Sequence, residues 1–98
     1  MKKPPTKLDD AIVLEWIILQ ESNVETGKTS MFHNGVLDGK PKAFAICQYE
    51  DDPTDFMVFY CSEEWQVLAA AGHESIQLAK IQIEKGFSNT INNWLQYA

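Results

Sequence analysis

The chain has 98 residues, 8 lysines, no arginine and 14 acidic residues, for a net charge of −6 and an isoelectric point near 4.7. A hydrophobic fraction of 45% with 11% aromatics excludes a disordered polyelectrolyte and fits one folded domain over 1–98. So acidic a domain is a poor ligand for nucleic acid or an anionic membrane, both of which need cationic contacts to phosphate.

Met1 to Leu8 reads as a polar leading segment. Pro4-Pro5 lacks backbone donors, so 1–8 is expected to be flexible or extended. No apolar stretch with a small-residue cleavage site follows the early lysines, so no secretory leader is expected. Asp10 to Ser22 is the first core element. Ile12, Val13, Ile17 and Ile18 are β-branched, and Trp16 adds strand preference. A strand would place Ile12, Leu14, Trp16 and Ile18 on one face and Glu15 on the other. A helix capped by Asp9 or Asp10 is the competing reading. The apolar run Ala11 to Leu19 is too short for a membrane span and contains Glu15.

Asn23 to Lys28 reads as a turn, Thr29 to Phe32 as a short strand, and Asn34-Gly35 as the tight turn of a small hairpin. Asp38 to Pro41 is a further turn. Lys42 to Tyr49 is expected as a strand, with Phe44, Ile46 and Gln48 on one face and Ala43, Ala45, Cys47 and Tyr49 on the other. Glu50 to Asp55 is expected as a loop. Phe56 to Cys61, apolar on both faces, reads as an interior strand. After a turn at Ser62 to Glu64, Trp65 to Ala70 completes a three-strand antiparallel meander. Ser75 is placed to cap a helix whose Ile76, Ala79 and Ile83 share one face, with Leu78 and Ile81 beside it. Gly86 would end it as the residue beyond the last turn. Ser88 would cap a short terminal helix carrying Ile91, Trp94 and Leu95. The expected class is α+β: a meander plus an N-terminal strand, with C-terminal helices on one face. The second apolar face needs a cover, which the first element or another chain could supply.

No catalytic constellation stands out. Cys47, Cys61, His33 and His73 lack zinc-ligand spacing. The acidic 50–55 segment lacks the ligand spacing and mid-loop glycine of a calcium hand. With a hairpin closed by Glu50 and Phe56, Cys47 falls opposite Phe59 and Cys61 opposite Ala45, so no disulfide is expected. Cys61 in an apolar strand should be inert. His73 is read as structural, and no base or nucleophile pair is legible. The expectation is therefore a non-enzyme without metal or cofactor.

The charge is unevenly placed. Ala43 to Ala79 contains Glu50, Asp51, Asp52, Asp55, Glu63, Glu64 and Glu74 and no cation, while the rest of the chain nets +1. Such a block favours a cationic partner. Because the Glu50–Asp55 and Ser62–Glu64 segments join consecutive antiparallel strands, they should lie at opposite ends of the meander.

The segment Phe59-Tyr60-Cys61-Ser62-Glu63-Glu64-Trp65-Gln66-Val67-Leu68, followed by His73-Glu74-Ser75-Ile76 and Ala79-Lys80, resembles a group of small bacterial proteins. Their similar Phe-Tyr-Cys-acid-Glu-x-Trp strand-turn-strand segment leads into a His-acid-Ser helix start, and the likeness spans about Ala43 to Phe87. In size, acidity and lack of catalytic groups the chain is similar to immunity proteins of bacterial toxin systems, including contact-dependent growth inhibition. It departs from the group at Ile81 and Ile83 and at Asn92-Asn93-Trp94. The resemblance implies an immunity protein that binds and neutralises a toxin domain; with two cysteines, no secretory signal and no catalytic set, the chain is expected to be cytoplasmic and non-enzymatic, its partner basic and a nuclease the expected class. Asp51, Asp52, Asp55, Glu63 and Glu64 are the expected contacts, with Trp65 or Tyr49 as aromatic anchor. The alternatives are a homodimeric structural or regulatory protein and a phage-type inhibitor of another basic bacterial machine.

Overall fold

The computed structural model describes residues 1–20 and 41–97. Five strands, β1 (Lys7–Leu8), β2 (Ala11–Ile18), β3 (Ala43–Tyr49), β4 (Asp52–Cys61) and β5 (Val67–His73), form one sheet in the order β1-β2-β3-β4-β5. Every neighbouring pair is antiparallel. Among the described residues one helix, α1 (Ile76–Gly86), packs against β4 and β5. The mixed, sheet-dominated class and the meander are thus as expected, with β1 added at the edge. The hairpin expected around Asn34-Gly35, and the other expectations for 21–40, lie outside the described residues.

The first core element is a strand, in keeping with its β-branched content. Its expected two-faced alternation is interrupted. Val13 pairs with Cys47 and Glu15 with Ile46, so Leu14 is an extra residue in the ladder. This bulge swaps the parity, because side-chain direction has a period of two. Val13 and Trp16 consequently share one core with Cys47, and Ile17 joins the other with Phe44.

The β3–β4 hairpin is tighter than the 50–55 loop read from sequence. Tyr49 already pairs with Asp52, leaving Glu50-Asp51 as the turn, and Pro53 to Asp55 bulge out before Gln48 meets Phe56. Proline is tolerated at such a bulge, where no ladder donor is required. Gln48 Nε2 donates to Pro53 O at 2.7 Å, and Thr54 Oγ1 donates to Asp52 Oδ1 at 3.1 Å. The register shifts accordingly: Cys47 stands opposite Met57 and Cys61 opposite Ala43, and both thiols are free and buried.

The β4–β5 turn is longer than expected, and β5 runs to His73 rather than Ala70. Trp65 belongs to the turn, at φ 62°. That left-handed backbone costs about 1 kcal/mol for a non-glycine residue. The surroundings offset it: Trp65 N donates to Ser62 O at 3.0 Å, Ser62 Oγ accepts from the backbones of Glu64 and Gln66, and the indole is buried.

Two cores flank the sheet. Phe44, Ile46, Val58 and Tyr60 meet Ala79 and Ile83 of α1 on one side. Ser75 Oγ caps α1 by accepting from Leu78 N at 3.0 Å, as the sequence suggests. Leu78 and Ile81, outside the buried stripe, are exposed. Gly86 is still helical, and extended Phe87 is the cap. On the other side Ala45, Cys47, Phe59 and Cys61 are covered by Leu8, Trp65 and Tyr97. Both termini serve this cover: Trp65 Nε1 donates to Lys2 O at 2.7 Å, Tyr97 Oη donates to Pro4 O, and the rings of Trp16 and Tyr97 lie 4.5 Å apart.

The second helix expected from Ser88 is not formed. Asn89 takes a left-handed φ of 62°, which stops helical propagation. The Glu84 carboxylate instead accepts from the backbone N–H groups of Asn89, Thr90 and Ile91 at 3.0, 2.9 and 2.9 Å. The chain then returns to the sheet, where Leu95 and Trp16 exchange both backbone hydrogen bonds.

Candidate partner-binding surface

One row of pairings crosses the whole sheet: Lys7 with Ile12, Ile12 with Gln48, Gln48 with Phe56, and Phe56 with His73. Everything that extends past this row at the same end is now fixed by strand direction. It comprises the Asp9-Asp10 turn, the Glu50-Asp51 turn, Asp52 to Asp55, and Glu74 after β5. Seven carboxylates therefore project from one end: Asp9, Asp10, Glu50, Asp51, Asp52, Asp55 and Glu74. All are exposed except half-buried Asp55. Among the described residues one ion pair forms there, a 3.8 Å contact between the exposed Lys7 Nζ and Glu50 Oε1. A solvated pair of that kind contributes less than about 1 kcal/mol and leaves the end strongly negative.

Asp9 and Asp10 are the contributors that sequence reasoning missed. In the sequence they read as helix caps, outside the acidic block Ala43 to Ala79. Their φ values of 46° and 67° make them the two central residues of a tight hairpin turn, a conformation aspartate tolerates better than most residues. Leu8 and Ala11, the buried residues flanking them, were the legible signal that a two-residue turn lay between strands.

The expected contact residues divide between the ends. Asp51, Asp52 and Asp55 belong to the acidic end, and half-buried Tyr49 precedes the same turn. Glu63 and Glu64 lie at the opposite end, about 30 Å away along β4. There they line a shallow cleft of about 290 Å³ with Lys42, Ser62 and Gln66, so a cation already stands beside them. Trp65 is 8% exposed, its indole N–H committed to Lys2 O.

Asp55 and His73 are the two groups with an unusual local setting. The Asp55 carboxylate overlies the backbone of Gly72, Oδ1 lying 2.7 Å from where a Cβ would stand. Glycine at 72 is what permits this approach. Burial holds the His73 imidazole below its ordinary pKa, and the nearby Asp55 carboxylate opposes that shift in part. His73 Nε2 is buried without a hydrogen-bond partner. Burial pushes the thiols of Cys47 and Cys61 up to about 12, so neither is a nucleophile near neutral pH. Among the described residues no group of three or more His, Cys, Asp and Glu is placed to hold a metal, and no helix is long and apolar enough to cross a membrane.

Comparison with protein-family models, with curated proteins and with solved structures gives no match.

Proposed function

We propose that this chain is an immunity-type protein: a non-enzymatic, cytoplasmic inhibitor that binds the basic face of a cognate bacterial toxin domain. The observation that carries this reading is the seven-carboxylate end of the sheet, where the Lys7–Glu50 contact is the one ion pair among the described residues. A nuclease is the toxin class that fits. Its cleft must be cationic to hold phosphate, and carboxylates on a rigid sheet end can occupy that field in place of a substrate backbone. Such a surface raises association rates by roughly 10- to 1000-fold at low salt and disfavours acidic partners. Asp9, Asp10, Asp51 and Asp52 are the leading contacts, with Asp55 and Glu74 toward the β5 side. Glu63 and Glu64 are secondary, since Lys42 lies beside them.

Co-expression with the product of the adjacent upstream gene tests the reading. A salt-sensitive one-to-one complex that suppresses the partner's toxicity is expected. If that product has no toxic activity, or no complex forms, the reading fails. A stable homodimer by light scattering without any neighbour-encoded partner would favour the structural alternative.

A further inference from the structure

The two edges of the sheet are finished differently. The outer edge of β2 is occupied: Lys7 and Leu8 pair with Ile12 and Ala11, Val13 N donates to Thr6 O at 2.9 Å, and Leu95 bonds Trp16 in both directions. Among the described strands β5 is the opposite edge. Its partner is β4, and among the described residues no hydrogen bond reaches its outer side. Natural edge strands are usually protected by lysine, proline, an inward charge or a covering loop. Val67-Leu-Ala-Ala-Ala-Gly-His73 has none of these side chains, and its bulge at Leu68 lies at the start, leaving Ala69 to His73 in regular register. Ala70 and Gly72 are exposed.

Charge beside this edge indicates what fits it. The half-buried Asp55 carboxylate lies against Gly72 of the outermost strand, with no lysine partner among the described residues. A strand added to β5 would run about 4.8 Å from Gly72, which places a lysine or arginine side chain on it within reach of Asp55. Glu74 extends the acid past the end of β5. A second copy of the chain is a poorer occupant, because strand-to-strand pairing would bring Asp55, Glu74 and the same net negative charge of both copies together.

We infer that β5 is a docking edge for an extended basic segment of a protein partner, which adds to the sheet as a sixth strand with a cationic side chain at Asp55. The inference rests on the proposal of a basic protein partner and specifies the edge that partner uses. Backbone hydrogen bonds along Ala69 to His73 supply the affinity, and Asp55 and Glu74 select for positive charge. The acidic end steers the approach, and the β5 edge holds what arrives.

The test uses the full chain, ¹⁵N-labelled, titrated with a synthetic decapeptide of alternating lysine and valine and with a threonine-for-lysine version. The lysine peptide is expected to shift and protect the amides of Ala69 to His73. The neutral peptide should bind about tenfold more weakly. Ala70→Lys, at an exposed position, should weaken binding at least about tenfold while the melting temperature holds. Asp55→Asn should erase most of the preference for the charged peptide. Shifts confined to the Asp9-Asp10 and Glu50-Asp51 turns, or binding unaffected by Ala70→Lys, would overturn the inference. So would a dimer that Ala70→Lys dissociates, since the second copy would then be the occupant. Peptide binding at β5 with no complex to the upstream product would leave the docking edge standing and remove the toxin reading. A toxin complex indifferent to Ala70→Lys would do the reverse.

Discussion

Lys80 Nζ lies 2.6 Å from Glu15 Oε1, joining α1 to the bulged part of β2, with both side chains largely buried. Glu15 faces the helix because the bulge at Leu14 reverses the strand's parity there. A buried pair of this kind contributes little over an apolar replacement, but breaking one half is costly. Lys80→Met should destabilise the protein by about 3 kcal/mol by leaving Glu15 buried and unpaired, and Glu15→Leu with Lys80→Met should recover most of that loss. Urea unfolding of the two single variants and the double variant measures it. Additive losses would show that the two residues act independently.

Glu84 should govern the path of the C-terminal segment. Its pKa is lowered first by the hydrogen bond from the backbone of Ile91, with burial opposing and Thr90 and Asn89 adding to the lowering. The folded pKa lies below the unfolded one, so the stabilisation is complete above the ordinary value of 4.5 and is lost as pH falls through the folded value. Glu84→Gln, at a partly solvated site and with one acceptor oxygen retained, should cost no more than about 1 kcal/mol near neutral pH and flatten the acid limb of the stability curve below about pH 5. Denaturant melts at stepped pH check both points.

His73 should contribute at a higher pH. Its folded pKa is held below 6.5 by burial, so the folded protein takes up fewer protons than the unfolded chain. That contribution is present above 6.5 and is lost as pH falls through the folded value. Removing the Asp55 charge by Asp55→Asn should lower the His73 pKa further, because the carboxylate is what raises it. A ¹H–¹³C titration of the imidazole in both proteins reads this directly. An upward movement would contradict the placement of Asp55.

Cys47 and Cys61 should be silent in the folded protein. Burial pushes both thiols up to about 12. A thiol-reactive disulfide reagent near neutral pH should label them only at the rate of unfolding, and both together in denaturant. Rapid labelling of either in the native state would mean that the core cover made by Trp65 and the termini opens readily.

Much of the fold was legible in the sequence. β-branched crowding at Ile12, Val13, Ile17 and Ile18 marked a strand, and Ser75 with Ile76, Ala79 and Ile83 marked the helix and its buried face. What was hidden depended on single long-range contacts. The bulge at Leu14, which turns Glu15 toward Lys80, is not encoded in local periodicity. The missing second helix follows from one carboxylate, Glu84, taking three backbone donors that a Ser88 cap was expected to organise. Trp65 read as strand because tryptophan favours strands, yet its indole reaches Lys2 only from a left-handed turn. The candidate surface was half legible. The opposition of the two acidic turns followed from connectivity, but the recruitment of Asp9 and Asp10 needed the register of β1 on β2.

The central claim is that the acidic end of the sheet meets a cationic partner, and the association rate at stepped ionic strength tests it most directly. The pair to compare is the combined Asp9→Asn, Asp10→Asn, Asp51→Asn and Asp52→Asn variant and the Glu63→Gln, Glu64→Gln variant, each against the unaltered protein with the upstream gene product. The first should associate at least about tenfold more slowly at low salt and lose most of its salt dependence, while the second stays close to the unaltered protein. Equal rates for the first variant and the unaltered protein, or a greater loss in the second, would contradict the account.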